Sequence, residues 1–211
     1  MRVRTEAKRS DILDIAAGVF LEQGFARASM SEIAARVGGS KTTLYGYFRS
    51  KEELFVEVVV AEALKELLPA FTELDENTAD LRDALVPLGE KLVAYLLSPD
   101  SIAAHRMVMS EAGRSDIGQL YYSNGRQRGL KLFAAFLERA SKLGKIRRCD
   151  FAIAATHLLA LMESELLPPV HFGLPRPAPS RLEIRESTER AVAVFLAAYG
   201  TLDDRSGTHR R

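Results

Sequence analysis

The sequence predicts an all-α chain. Apolar residues recur three and four positions apart along nearly its whole length, whereas strand-like alternation bounded by turn residues is hard to find. Glycines, prolines and Ser-x-x-Glu capping boxes fall between the periodic stretches, where helices start and stop.

A first helix is expected from about Thr5 to Gln23, with Ile12, Ile15, Ala16, Val19 and Phe20 on one face and Gly24 as its stop. Ser29-Met30-Ser31-Glu32 is a capping box opening a short helix to about Val37, and Gly38-Gly39 breaks it. Ser40 caps a second short helix through Phe48, and Ser50-Lys51-Glu52-Glu53 is another capping box. Longer helices follow over about 51–70, 80–97, 101–112, 117–143, 150–167 and 181–199. Ser98 caps before Pro99, Gly144 ends the longest helix, and Ser180-Arg181-Leu182-Glu183 is a third box. Pro87 is expected to kink its helix near Asp83, because it lacks a donor and crowds the preceding turn. Five of eight prolines lie between Pro168 and Pro179, which reads as a stiff connector.

Of 211 residues, 47% are hydrophobic and 27% charged, with 29 Lys+Arg against 28 Asp+Glu. Such a chain can bury a core, and it is neither a disordered polyelectrolyte nor basic along its whole length. Its single cysteine, Cys149, rules out an intramolecular disulfide and suits a reducing cytoplasm. The N-terminus has no continuous apolar segment of the secretory kind. The most apolar windows, 151–162 and 191–199, fall short of the roughly 20 residues a bilayer helix needs, so no membrane is expected.

Near-neutrality hides a division at Lys51. Residues 1–51 hold nine basic residues (Arg2, Arg4, Lys8, Arg9, Arg27, Arg36, Lys41, Arg49, Lys51) against five acids, or +4; the remainder holds 20 against 23, or −3. The basic part coincides with the two short helices. Helix, tight turn, helix is the arrangement in which a second helix enters the DNA major groove while the first crosses the backbone. Leu44 and Phe48, four apart, can anchor the second helix, leaving Lys41, Thr42, Thr43, Tyr45 and Tyr47 to face outward. Hydroxyls and an ammonium of this kind suit phosphate oxygens and base edges. Ser29 and Ser31 stand at the start of the helix crossing the backbone, and Lys51 opens the next helix near the same surface.

Gly24-Phe25-Ala26-Arg27-Ala28-Ser29-Met30-Ser31-Glu32-Ile33-Ala34, with the run from Ser40 to Phe55, strongly resembles the DNA-binding domain of the TetR family of bacterial transcriptional regulators. The resemblance implies a three-helix DNA-binding domain over 1–50, a larger helical effector-binding and dimerisation domain over 51–200, and a homodimer on a palindromic operator. A polar, frayed tail is expected over 201–211. By position, Ser29, Lys41, Thr43, Tyr45, Tyr47 and Lys51 would contact DNA, mostly at phosphates; Arg27, Ser31, Ser40, Thr42 and Gly46 complete the candidate surface. Gly39 stands where the family commonly has an aliphatic residue, and Gly46 where it often has a larger side chain. The stretches His105–Ala112, Gln119–Gly125 and Lys142–Ile146 resemble the AefR-like subgroup, which is associated with control of efflux pumps.

Candidates for an effector pocket are Leu88, Leu92, Tyr95, Met109, Tyr121, Tyr122, His157 and Leu161, which combine apolar bulk with occasional polar tips. His157, in the apolar run 152–162, is expected to be buried and to need a polar partner. Leu158, Leu159, Met162, Val192, Phe195 and Tyr199 are candidates for a dimer face, the alternative being that they close the monomer core. No Gly-rich phosphate loop, HExxH or CxxC occurs, and His105, His157, His171 and His209 are scattered, so no enzyme, metal or cofactor is expected. Glu163 and Glu165, two apart on a helix, point in different directions and form no carboxylate pair. The combined expectation is a cytoplasmic homodimeric repressor released from its operator by a small apolar effector. The alternatives are a DNA-binding regulator without such an effector, and a helical small-molecule binding protein or enzyme whose N-terminal helices merely pack.

Overall fold

The computed structural model describes residues 5–72, 80–175 and 177–201; Arg2, Arg4 and the expected tail beyond Thr201, with His209, lie outside the described residues. Among the described residues the helices are, in order, α1 (Glu6–Arg27), α2 (Met30–Arg36), α3 (Lys41–Tyr47), α4 (Lys51–Thr72), α5 (Leu81–Leu96), α6 (Pro99–Glu111), α7 (Ile117–Tyr121), a π-helix (Tyr122–Arg126), α8 (Gln127–Lys142), α9 (Phe151–Glu163), α10 (Leu167–His171) and α11 (Arg181–Tyr199). The all-α expectation holds. Among these residues no helix is long and apolar enough to cross a membrane.

Two compact units result. The first joins the described residues up to 65 with 104–126, and the second joins the described residues of 66–103 with those from 127 onward. The three N-terminal helices therefore fold together with the start of α4, the end of α6, α7 and the π-helix.

In the first unit, Thr5 accepts the Lys8 amide to start α1, and Ile12, Leu13, Ala16, Val19 and Phe20 bury its apolar stripe. Gly24 interrupts the helix at φ 74°, a conformation costly for any side chain, and one further turn leads to Arg27. The rings of Phe20 and Phe25 meet Phe55 of α4 edge-on at 5.1 and 5.2 Å, which fixes α1 against α4. Val108 and Ile117 are buried in the same core.

The α2–α3 turn is closed by paired bonds from Gly38 N to Ala35 O (3.1 Å) and Gly39 N to Ala34 O (3.0 Å), with Gly38 at φ 67°. These bonds satisfy the last carbonyls of α2, and the positive φ explains the first glycine. Gly39 has no such requirement: a Cβ there would meet only Thr43 Cβ, at 4.0 Å. Gly39→Ala should therefore stabilise the chain by about 0.4–1 kcal/mol through a less flexible unfolded state, visible as a higher urea midpoint at unchanged slope.

The second unit packs α5, α8, α9 and α11 around Leu85, Leu88, Phe133, Phe136, Leu137, Leu158, Met162, Val192 and Phe195. Gly144, at φ 79°, ends α8, and an isolated antiparallel bridge between Ile146 and Gly200 ties the next segment to the end of α11. Ser180 and Glu183 form the full capping box expected for α11. At Ser29 and Ser50 only half of each box forms, because the glutamates bond elsewhere: Glu32 to Gln23 and Arg36, and Glu53 to the Arg49 amide.

Several boundaries differ from expectation. The helix expected over 117–143 is divided into α7, the π-helix and α8, where Ser123, Asn124 and Gly125 favour the helix poorly. The helix expected over 150–167 ends at Glu163; the Ser164 hydroxyl turns back to Leu161 O (2.8 Å), and α10 begins with Pro168 and Pro169 in its first turn. The expected connector thus starts as a helix. α5 is assigned as one helix through Pro87.

Arg190 of α11 grips Glu165 with two nitrogens, at 2.6 and 3.1 Å. This guanidinium, the largest influence, holds the Glu165 carboxyl below the usual carboxylate range. The stabilisation it brings is present above the ordinary carboxylate pKa and lost as pH falls through the lowered value. Both side chains are well exposed, so the effect on stability is small. Arg190→Ala should raise the Glu165 midpoint in a carboxyl NMR titration.

Candidate nucleic-acid interface

The surface expected to read DNA is built around α3. Leu44 and Phe48 are buried and anchor it. The Ser40 hydroxyl accepts the Thr43 amide (3.1 Å) and lies 2.9 Å from the Thr43 hydroxyl, which fixes the first turn. Lys41 and Thr42 are exposed and Tyr45 is 48% exposed, while Thr43, Gly46 and Tyr47 are half-buried. The Tyr47 hydroxyl accepts the Thr5 amide at 3.2 Å and so ties the end of α3 to the start of α1. On α2, Ser29 caps by accepting the Glu32 amide (3.2 Å), and Ser29 and Ser31 are exposed. Arg27 is exposed, with Nε donating to Gln23 O at 3.0 Å.

The basic residues divide sharply once their partners are known. Lys51 Nζ donates to Phe25 O (2.8 Å), Ala28 O (3.2 Å) and Ala26 O (3.4 Å) and stands 4.3 Å from the centre of the Phe25 ring. An ammonium has three donors, so the α1–α2 turn engages all of them. Lys8 caps α2 at Val37 O (3.2 Å), Arg9 pairs with Glu57, and Arg36 pairs with Glu22 (2.7 Å) and Glu32 (2.9 Å). Among the described basic residues of 5–51, Lys41 and Arg49 are the ones whose side chains no group of the chain hydrogen-bonds or pairs. Arg49 was not among the candidates; its place one residue beyond the buried Phe48 is the signal that marks it.

The effector candidates fall in different units. Leu88, Leu92, Tyr95, His157 and Leu161 belong to the second and Met109, Tyr121 and Tyr122 to the first. Leu88 and Leu92 are core, whereas Met109 and Tyr122 are 64% and 50% exposed. His157 corrects an expectation: it is exposed, and its partner is the Tyr199 hydroxyl, 2.6 Å from Nδ1. Among the dimer candidates, Leu158, Leu159, Met162, Val192 and Phe195 point into the monomer core and Tyr199 is half-buried, so they close the monomer. Outward positions of the same helices include Ile153, Thr156 and Ala160 on α9 and Val194, Ala197 and Ala198 on α11. α9 is apolar on most of its circumference, which is why periodicity alone does not single out one face.

Two family models match this arrangement. The one for bacterial regulatory proteins of the tetR family covers residues 12–58, and the one for the AefR-like transcriptional repressor C-terminal domain covers 83–201, more than half of the chain. The chain belongs to the TetR family. A putative TetR-family regulator from Mesorhizobium loti superposes on this TetR-family chain with a TM-score of 0.77 at 28% identity, over 95% of this chain and 100% of that one. The Flavonoid-responsive Regulator FrrA gives 0.70 at 30% identity, over 94% and 100%. The transcriptional activator FasR of Mycolicibacterium smegmatis is 34% identical over 84 residues, 40% of this chain and 38% of FasR. The matched segments span 38% to 52% of the length of the curated relatives. These relatives are transcriptional regulators rather than enzymes.

Proposed function

We propose that this TetR-family regulator is a cytoplasmic homodimeric repressor that binds a palindromic operator and leaves it when a small apolar effector binds. The observation that carries the DNA-reading part is α3, a capped, anchored helix whose exposed Lys41, Thr42 and Tyr45 stand beside the unpaired Arg49. Ser29, Ser31 and Thr43 complete the surface. Lys51 and Tyr47 are assigned to holding the helices in place, since their polar atoms are engaged within the unit. The homodimer is assigned to the outward faces of α9 and α11, where Ile153 and Val194 leave apolar area exposed.

Repression is supported by the description of the matching C-terminal domain, and FasR, named as an activator, makes the sign of regulation the first thing to measure. The name of FrrA makes a flavonoid the first effector class to try. α4 runs through both units, so a shift of the helix in one is carried along the same backbone into the other.

The test begins by selecting duplexes from a random pool with the full chain and transcribing from a promoter that contains the selected site. Selected sites should be palindromic, with half-site centres about one helical turn apart, and transcription should fall. A flavonoid series should then restore it. Lys41→Ala should weaken binding at least tenfold at low salt and reduce the salt slope by about 1.8, since the dimer loses the lysine from both half-sites. Ile153→Asp with Val194→Asp should sediment as a monomer. A selected pool without a consensus, or Lys41→Ala binding like the native chain, would sink the assignment of α3.

A further inference from the structure

Glu57 of α4 joins two elements that the sequence leaves unconnected. One carboxylate oxygen accepts from the Asn124 amide of the π-helix at 2.9 Å, and the other is paired with the Arg9 guanidinium of α1. That guanidinium lies 5.2 Å from the centre of the Phe48 ring. Phe48 is buried and is the C-cap of α3, its amide closing the last turn on Leu44. Asn124, Glu57, Arg9 and Phe48 therefore form a continuous series of polar and cation–π contacts within one compact unit, from the π-helix to the end of α3.

The π-helix is docked as well as bonded: a Cβ on Gly125 would reach van der Waals contact with Val60 Cγ2 at 3.4 Å. A π turn holds one residue more than an α turn, and such turns concentrate at functional sites. Converting 122–126 to α would add about 100° of turn across the segment, and Asn124, at its middle, would take part of that rotation, which moves its amide off Glu57. The chain leaves the first unit after Arg126, the last residue of this segment.

Resting on the DNA-reading function above, we propose that Asn124 is a positioning residue through which the π-helix sets the recognition helix, by way of Glu57 and Arg9. Loss of the Asn124 bond leaves Glu57 held by Arg9 alone. Arg9 then follows the carboxylate and its hold on Phe48 loosens. This route runs through α1 and does not require α4 to tilt.

Hydrogen exchange on the full-length native chain, Asn124→Ala, Glu57→Gln and the double variant tests it. Amides of 41–48 should exchange about fivefold faster in each single variant, while those of α11 stay at the native rate. The double variant should be no faster than Glu57→Gln, because the two residues act in series. Native exchange over 41–48 in Asn124→Ala, or fully additive effects, would overturn the route. If Glu57→Gln does not fold, Asn124→Asp replaces it: two carboxylates facing each other should loosen 41–48 more than Asn124→Ala does, and equal or smaller loosening overturns the route. Binding to the selected duplex separates the two ideas. Absence of any DNA binding by the native chain refutes the DNA-reading function and leaves the exchange result to stand alone; weaker binding by Asn124→Ala with native exchange over 41–48 refutes the route only.

Discussion

Gly89→Ala should be among the most damaging single-methyl changes in the protein. Its new Cβ would fall deep inside the van der Waals radius of Thr188 Cγ2 and 2.9 Å from Met162 Cε. Met162 is flexible and can yield. Thr188 cannot, because its hydroxyl is returned to Ile184 O at 2.8 Å, its side chain is fully buried, and its branch is held close to the α11 backbone. The strain therefore falls on the spacing of α5 and α11, and a cost of about 3 kcal/mol is expected, near the upper end for overpacked cores. For a chain of this size that lowers the melting temperature by about 6–12 °C. Thr188→Ser in the same background removes the clashing methyl and should recover most of the loss; a double variant as unstable as Gly89→Ala would show that Met162, not Thr188, sets the spacing.

Lys51→Ala should lower stability by about 2 kcal/mol, since one ammonium serves three carbonyls at the α1–α2 turn and lies against Phe25. Its contrast with Lys41→Ala is the informative part. Lys41 is exposed with no internal partner, so its removal should leave the melting temperature within about 1 °C and change the salt dependence of DNA binding. Lys51→Ala should lower the melting temperature and, measured where the variant remains folded, leave the salt slope near native. Reversal of that pattern would return Lys51 to the phosphate surface and move Lys41 off it.

Much of the fold is legible because its signals are local. Ser29, Ser40, Ser50 and Ser180 each cap the helix they precede, and positive φ marks the interruption of α1 at Gly24 and the helix ends at Gly38 and Gly144. The break between α7 and α8 is less legible, because a π turn depends on what the segment packs against, here Glu57 and Val60, both more than sixty positions away. The roles of the basic residues are hidden for a similar reason. Lys8, Arg9, Arg36 and Lys51 look alike in a charge count, and only the fold reveals that each is bound to a carbonyl or a carboxylate. Of the seven described basic residues of the N-terminal segment, these four are therefore engaged in fixing the fold. Identity of the faces of α9 was also beyond reach, since a helix with apolar residues on most sides gives no preferred direction.

The first unit is assembled from two separate stretches of chain, and this bears on how such a reading head can be exchanged between proteins. Val108 and Ile117 complete the core that holds α1, α2 and α3, yet they are encoded far downstream of it. A chimera joined at residue 50 would carry the recognition helix and leave its floor behind. Transplantation of DNA specificity from this chain should succeed only when 104–126 travels with 1–65, or when the recipient supplies side chains of matching volume at both places.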